Sequence, residues 1–152
     1  MERESDDICF SDNNHEFNLR AAGIIERKNQ LLVCETTSPS ADFVFIGGRV
    51  KFGESSKAAI QREFSEELHV NVQIKRLLWV IEHQVHLETE SFQQVILLYL
   101  LAADDSIPDQ TNKGTLTAWK SLSELQQTKL QPPIFKFLKE LPKTTQYWQD
   151  IS

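Results

Sequence analysis

The sequence has no stretch long enough to cross a bilayer as a helix. Its longest apolar run, Val95 to Ala103, is about half of the roughly 20 residues that a spanning helix needs, so it reads as a buried strand. It also lacks a basic excess: 16 Lys and Arg against 22 Asp and Glu give a formal net charge of −6. That balance excludes broad gripping of a nucleic-acid polymer, which needs a surplus of cations on one face. A small phosphorylated ligand stays open, because a bound divalent cation supplies positive charge locally. The opening MERESDDICF has neither the basic start nor the apolar core of a secretory signal. Cysteine is scarce, with Cys9 and Cys34 far apart and no second thiol or metal-spaced His nearby. This is the pattern of a reducing cytosol without structural zinc. The expectation is a cytoplasmic protein with no membrane and no nucleic-acid polymer among its partners.

The chain has 152 residues and 40% hydrophobic content, the size of one ordinary domain with a buried core. Residues 1–16, rich in Asp, Asn, Glu and Ser, read as a flexible or loosely docked arm, and residues 17–152 as one domain. FNLRAAGIIE and QLLVCE predict two strands joined by a turn at Lys28-Asn29. FVFI predicts a third strand, running into Gly47-Gly48. SSKAAIQREFSEEL, with Ala58, Ala59, Ile60, Phe64 and Leu68 at helical spacing and no Gly or Pro inside, predicts a helix from about Ser56 to Leu68. VNVQIKRLLWVIEHQVHLE and SFQQVILLYLLA predict two long strands, and TLTAWK another. SLSELQQ, capped by Ser121, and PPIFKFLKEL, with Pro133 in its first turn, predict closing helices. Strands, one central helix, then strands and helices make a mixed sheet with helices on its faces, an α/β or α+β layered domain.

The chemistry concentrates between residues 48 and 70, GRVKFGESSKAAIQREFSEELHV. Glu63, Glu66 and Glu67 stand at i, i+3 and i+4, which puts three carboxylates on one side of a helix. Without a counter-ion they repel by a few tenths of a kcal/mol per pair; a divalent cation reverses that sign. Hard oxygen donors suit Mg²⁺ or Mn²⁺, with substrate phosphates and waters completing the coordination of Mg²⁺.

This stretch closely resembles the Nudix box: a Gly, five residues, a Glu, seven residues, then Arg-Glu-apolar-any-Glu-Glu-any-Gly-apolar. Gly48, Glu54, Arg62, Glu63, Phe64, Glu66, Glu67 and Val70 take the matching positions. His69 replaces the second fixed glycine, where φ is often positive, a conformation His tolerates at some cost. The resemblance implies the family's α/β/α sandwich around a mixed β-sheet, and a Mg²⁺- or Mn²⁺-dependent hydrolase of diphosphate linkages. It implies Glu63, Glu66 and Glu67 as metal-binding acids and the carbonyl of Gly47 or Gly48 as a further ligand. Arg62 and Glu54 would form the ion pair that fixes the site, and a homodimer would be in keeping with many relatives.

Outside the box, Arg49 and Lys51 are candidates for a substrate phosphate, and Phe52, in the same loop, for substrate contact. Phe43, Phe45, Trp79 and Trp119 are further stacking candidates, with the core as the simpler reading. Glu82, Glu88 and Glu90 are candidate general bases, with His83 and His86 as rivals. Gln93 and Gln94 stand where many relatives carry a carboxylate. The expected substrate is a nucleoside diphosphate derivative of the ADP-ribose or nucleotide-sugar type. The alternatives are a nucleoside triphosphate, and a catalytically silent domain that senses nucleotides.

Overall fold

The spine of the computed structural model, which describes residues 6–37, 41–131, 133–134 and 139–151, is the long strand β2 (His15–Arg27). Both faces of β2 are covered, so residues 21–25 form a continuous buried run in place of alternation. β2 runs parallel to β7 (Ser91–Ala102), Ala21 beside Leu97. β7 pairs antiparallel with β6 (Gln73–His86), and β6 pairs parallel with β10 (Gln146–Ile151) at the sheet edge.

The other side of β2 is shared by three short strands in turn. β1 (Cys9–Asp12) pairs with its start, β5 (Ile46–Arg49) with its middle, and β3 (Gln30–Glu35) with its end. β3 also holds β4 (Phe43–Val44) and β8 (Thr117–Lys120), and β4 holds β9 (Leu130–Gln131). The β2–β3 turn is the one expected: Lys28 and Asn29 have φ of 51° and 62°, the left-handed pair whose twist suits a two-residue hairpin.

The FVFI segment is two strands instead of one. Val44 sits beside Cys34 of β3, whereas Ile46 sits beside Gly23 of β2, so the chain crosses from one neighbour to the other at Phe45. Residues 1–16 are more than an arm in their described part, since β1 and the start of β2 form an antiparallel pair there. Strands β1, β9 and β10 are not foreseen by the sequence pattern. The helix expected over PPIFKFLKEL lies partly outside the described residues, at 132 and 135–138.

Helix α1 (Ser56–Leu68) matches its expected span. The Ser55 side chain caps it by accepting from the Ala58 N–H at 3.1 Å. Its buried Ala59, Ile60, Phe64 and Leu68 pack with Ala21, Ile25, Ile46 and Leu101 on one face of the sheet. On the opposite face Ala22, Ile24, Leu78, Trp79, Ile81, Ile96 and Leu98 form a second core with Leu125 of α2 (Leu122–Gln126), a helix started by a Ser121–Glu124 capping box. A mixed sheet with a helix on each face is the layered α+β fold expected. Among the described residues no helix is long and apolar enough to cross a membrane.

Helix α1 ends at His69, which has φ 55° and ψ 39° and whose N–H reaches the Ser65 carbonyl at 3.0 Å. Its side chain is exposed, so the left-handed conformation is paid for without a packing return. His69→Gly should stabilise the protein by about 1 kcal/mol, raising Tm by about 2–4 °C. A thermal melt checks this, and a lower Tm would show that the imidazole makes up for the strain.

Candidate active site

Arg62 organises the acids. Its Nε donates to Glu54 Oε2 at 2.8 Å and its Nη2 to Glu54 Oε1 at 3.0 Å, a bidentate pair. Its Nη1 donates to Glu63 Oε1 at 2.9 Å and to Glu66 Oε2 at 3.3 Å, and its Nη2 also reaches the Arg49 carbonyl at 3.1 Å. Glu54 in turn accepts from the Lys51 N–H at 3.0 Å. The Arg62 hydrogen bond, ahead of the other influences, holds the Glu54 carboxyl below its usual range, and the same bond raises Arg62. The guanidinium thus ties the loop before α1 to the first acids of the helix.

Gly48 completes this corner. It lies beside Ala21 in the sheet, facing α1, and a Cβ there would collide with the Glu63 carboxylate. The missing side chain is what lets that carboxylate lie against the backbone of β5.

Glu67 faces a different neighbourhood. Burial raises its carboxyl, and Glu63 and Glu66 push the same way, while Lys113 and Arg20 oppose them. Lys113 comes from the loop between β7 and β8, where the Asn112 N–H binds the Glu67 carbonyl at 2.8 Å and Thr111 and Thr115 are cross-tied at 2.6 Å. Cys34 is close enough to feel Glu67, but burial comes first in pushing its thiol up to about 11, so it stays protonated and unreactive. The sequence reading missed both Arg20 and Lys113, since a single cation in an apolar strand and one in a polar loop carry no local signal.

Glu63, Glu66 and Glu67 are hard oxygen donors within one helical turn, and the mutual field that raises Glu67 is relieved by a cation. The donor set therefore fits Mg²⁺ or Mn²⁺. Among the described residues no three acidic, His or Cys side chains stand in a ligating arrangement; Glu63 and Glu66 are turned onto Arg62 instead.

The remaining candidates are spread out. Arg49 stands 3.8 Å from both Asp7 and Glu16, and Phe52, 48% exposed, meets the ring of Phe10 edge-on at 6.2 Å. The N-terminal strand thus lies along the loop that precedes α1, joined also by the bridge between Asp7 and Lys51. Glu82 is on β6, beside Gln149 of the edge strand β10. Glu88 and Glu90 lie in the exposed β6–β7 turn. Six residues of β7 separate its start at Ser91 from Leu97, whose row includes Ala21 and Gly48, a distance of about 20 Å. The fold therefore does not bring Glu88 and Glu90 to the helix acids. His86 is exposed at the end of β6, and Gln93 is exposed on β7. Trp79 is core at 1% exposure, Trp119 stacks under Arg27 at 5.7 Å, and Phe43 lies under Lys120 at 5.3 Å.

On the sheet face opposite α1 lies a cavity of about 300 Å³, lined by Arg20, Phe45, His83, Phe92, Gln94 and Ile96 among others. Arg20 connects the two regions. Its side chain lines the cavity and donates to the Phe45 carbonyl at 3.3 Å, yet it feels the charges of Glu67 and Glu63. Burial pulls its pKa down and those acids pull it back up.

The NUDIX domain model matches residues 17–141 of this sequence. The chain belongs to that family and is a hydrolase acting on pyrophosphate bonds. No curated protein sequence matches it significantly. Similar solved structures include the ORF135 protein of E. coli, at 23% identity and TM-score 0.60, covering 79% of this chain and 84% of that one. The mutator MutT protein of Bacillus halodurans is similar at 18% identity and TM-score 0.61, covering 78% and 80%. A structure titled UDP-X diphosphatase is similar at 16% identity and TM-score 0.58, covering 86% and 66%. At these identities the likeness is one of fold.

Proposed function

We propose that this chain cleaves the diphosphate linkage of a nucleoside diphosphate derivative, of the ADP-ribose or nucleotide-sugar type, with Mg²⁺ or Mn²⁺ bound at Glu63, Glu66 and Glu67. The observation that carries this reading is three carboxylates on one helical turn, two of them, Glu63 and Glu66, held by Arg62, with a glycine that leaves room for Glu63. The carbonyl of Gly47 or Gly48 is a further donor on the adjoining strand. When bound, the ion neutralises phosphoryl oxygens and lowers the pKa of an attacking water.

The residues of the chain have separable tasks in this scheme. Arg62, held by Glu54, fixes the direction of Glu63 and Glu66 and keeps the anionic cluster from flying apart before an ion arrives. Glu67, whose carboxyl is pushed up by burial and by its acidic neighbours while no ion is bound, is relieved by a cation and is also our candidate proton acceptor among the helix acids. Arg20 and Lys113 offset the negative charge around Glu67. The cavity behind Arg20, lined partly by Phe45 and Phe92, is a place for the organic part of the substrate.

A panel of nucleoside diphosphate derivatives and triphosphates, assayed with Mg²⁺, with Mn²⁺ and with chelator, tests the proposal. Release of a nucleoside monophosphate plus a sugar phosphate is the expected result. Pyrophosphate release would move the substrate to the triphosphate class, and silence across the panel would leave a ligand-sensing domain. Metal binding has its own readout. An ion bound only by the folded state at 100 times its Kd stabilises it by about 2.7 kcal/mol, so millimolar Mg²⁺ should raise Tm by several degrees. Superimposable melts with Mg²⁺, with Mn²⁺ and with chelator would count against a competent site.

A further inference from the structure

Two arginines stand side by side on the cavity face of the sheet. Arg20 on β2 and Arg49 on β5 are direct cross-strand partners, and such partners share one face of an antiparallel pair. In the next row Ala21 and Gly48 face α1, so the two arginines point the other way. Arg20 lines the cavity there, and Arg49 reaches toward Glu16, which lies on the same face of β2 as Arg20. Like charges directly opposite one another across two strands are destabilising. An anion held by both reverses that sign.

The protein engages these two guanidiniums only loosely. Among the described residues Arg20 makes one side-chain hydrogen bond, to the Phe45 carbonyl, and it is long at 3.3 Å. Arg49 stands 3.8 Å from both Asp7 and Glu16, which is attraction without a hydrogen bond, and its side chain is 43% exposed. A guanidinium carries five N–H donors in a planar fork, so most of this pair's donors are available to a ligand. Burial, and after it the Arg49 charge, pull the Arg20 pKa down against Glu67 and Glu63. Asp7 and Glu16 compensate Arg49 while no ligand is bound, and both precede residue 17, where the domain match begins.

We infer that Arg20 and Arg49 form a phosphoryl-binding clamp on the cavity face of the sheet, which holds a phosphate of the substrate while the cavity beside Arg20 takes the organic part. The planar fork of an arginine matches two oxygens of one phosphoryl group, and Ile81, Phe92 and Ile96 give the cavity its apolar wall. Two groups offer this chemistry: a phosphoryl of the scissile diphosphate, and an additional phosphomonoester on the nucleoside. The inference rests on the diphosphate-hydrolase reading of the chain.

The clamp is tested first without metal or turnover, by calorimetric titration of inorganic phosphate into the full chain in chelator, with chloride holding the ionic strength constant. Arg49→Gln should weaken phosphate binding about tenfold, the worth of one charged hydrogen bond, and Arg20→Gln should do the same. Melting curves screen both variants for folding; if Arg20→Gln does not fold, the exposed Arg49 decides. No measurable phosphate binding by the wild type, or equal binding by Arg49→Gln, overturns the inference whatever becomes of the hydrolase reading. Turnover of ADP-ribose and of its 2′-phosphate then names the source. A loss of about tenfold in kcat/KM for Arg49→Gln on both substrates assigns the clamp to the scissile diphosphate. A loss confined to the 2′-phosphate form assigns it to the additional phosphomonoester, and undiminished kcat/KM on both overturns the clamp's part in substrate binding. If the wild type turns over neither, the hydrolase reading fails separately and the phosphate titration decides alone.

Discussion

Glu67→Gln is expected to lose between about 10² and 10⁴ of kcat, the range associated with removing a positioned proton acceptor, while the protein melts close to the wild-type temperature. The substitution keeps the shape and removes one negative charge from a half-buried position where Glu63 and Glu66 already oppose ionisation. Removing that charge relieves repulsion from Glu63 and Glu66 but also withdraws the acid that most offsets the buried charge of Arg20, so the two effects on the metal-free fold oppose one another. The Asn112 contact is made to the Glu67 backbone carbonyl and is retained. The rise of Tm with Mg²⁺ should shrink in the same variant, because one ligand of the ion has lost its charge. Measuring kcat and the metal-dependent melt together separates the two roles. Wild-type activity in Glu67→Gln would remove this residue from the mechanism altogether.

The largest effect on stability is expected at Gly47, with the adjacent Gly48 as its control. A Cβ on Gly47 would lie 2.6 Å from Ala22 Cα and 2.9 Å from Ala22 Cβ, and closer still to the Ala21 carbonyl oxygen. These are atoms of the neighbouring strand, which cannot move aside without parting β5 from β2. Gly47→Ala should therefore cost about 3 kcal/mol, a fall in Tm of about 6–12 °C. At Gly48 the three atoms nearest to the added Cβ all belong to the Glu63 carboxylate, the far end of a flexible side chain. Gly48→Ala should melt close to the wild type and lose activity, because Glu63 is turned out of place. Equal destabilisation by the two substitutions would mean that the Glu63 carboxylate is held more rigidly than its side chain implies.

Much of the framework was legible in the sequence because it is local. The span of α1 follows from apolar residues at helical spacing with Ser55 before them, and the β2–β3 hairpin from a polar pair between two apolar segments. The acid helix and its ion pair were legible for the same reason: Glu54, Arg62, Glu63, Glu66 and Glu67 lie within 14 consecutive positions of the chain. The strands that were missed lack this local signal. β9 has two residues, and β10 is an edge strand of mixed polar character whose only described partner is β6. An edge strand is held by backbone hydrogen bonds along one side, which any sequence without an interfering proline can supply.

The sequence by itself determined the layered α+β class, the acid-bearing helix and the chemistry those acids suit. Those features depend on spacings within one helix or one hairpin, which are settled by side chains a few positions apart. Only the tertiary structure decided that Gly48 receives the Glu63 carboxylate, that Arg20 stands between the acids and a cavity, and that Arg20 and Arg49 are cross-strand partners on one face. Each of these depends on the register between strands that are distant in sequence. Register is set by the packing of whole faces, because a slip of one residue would turn every side chain to the opposite side of the sheet.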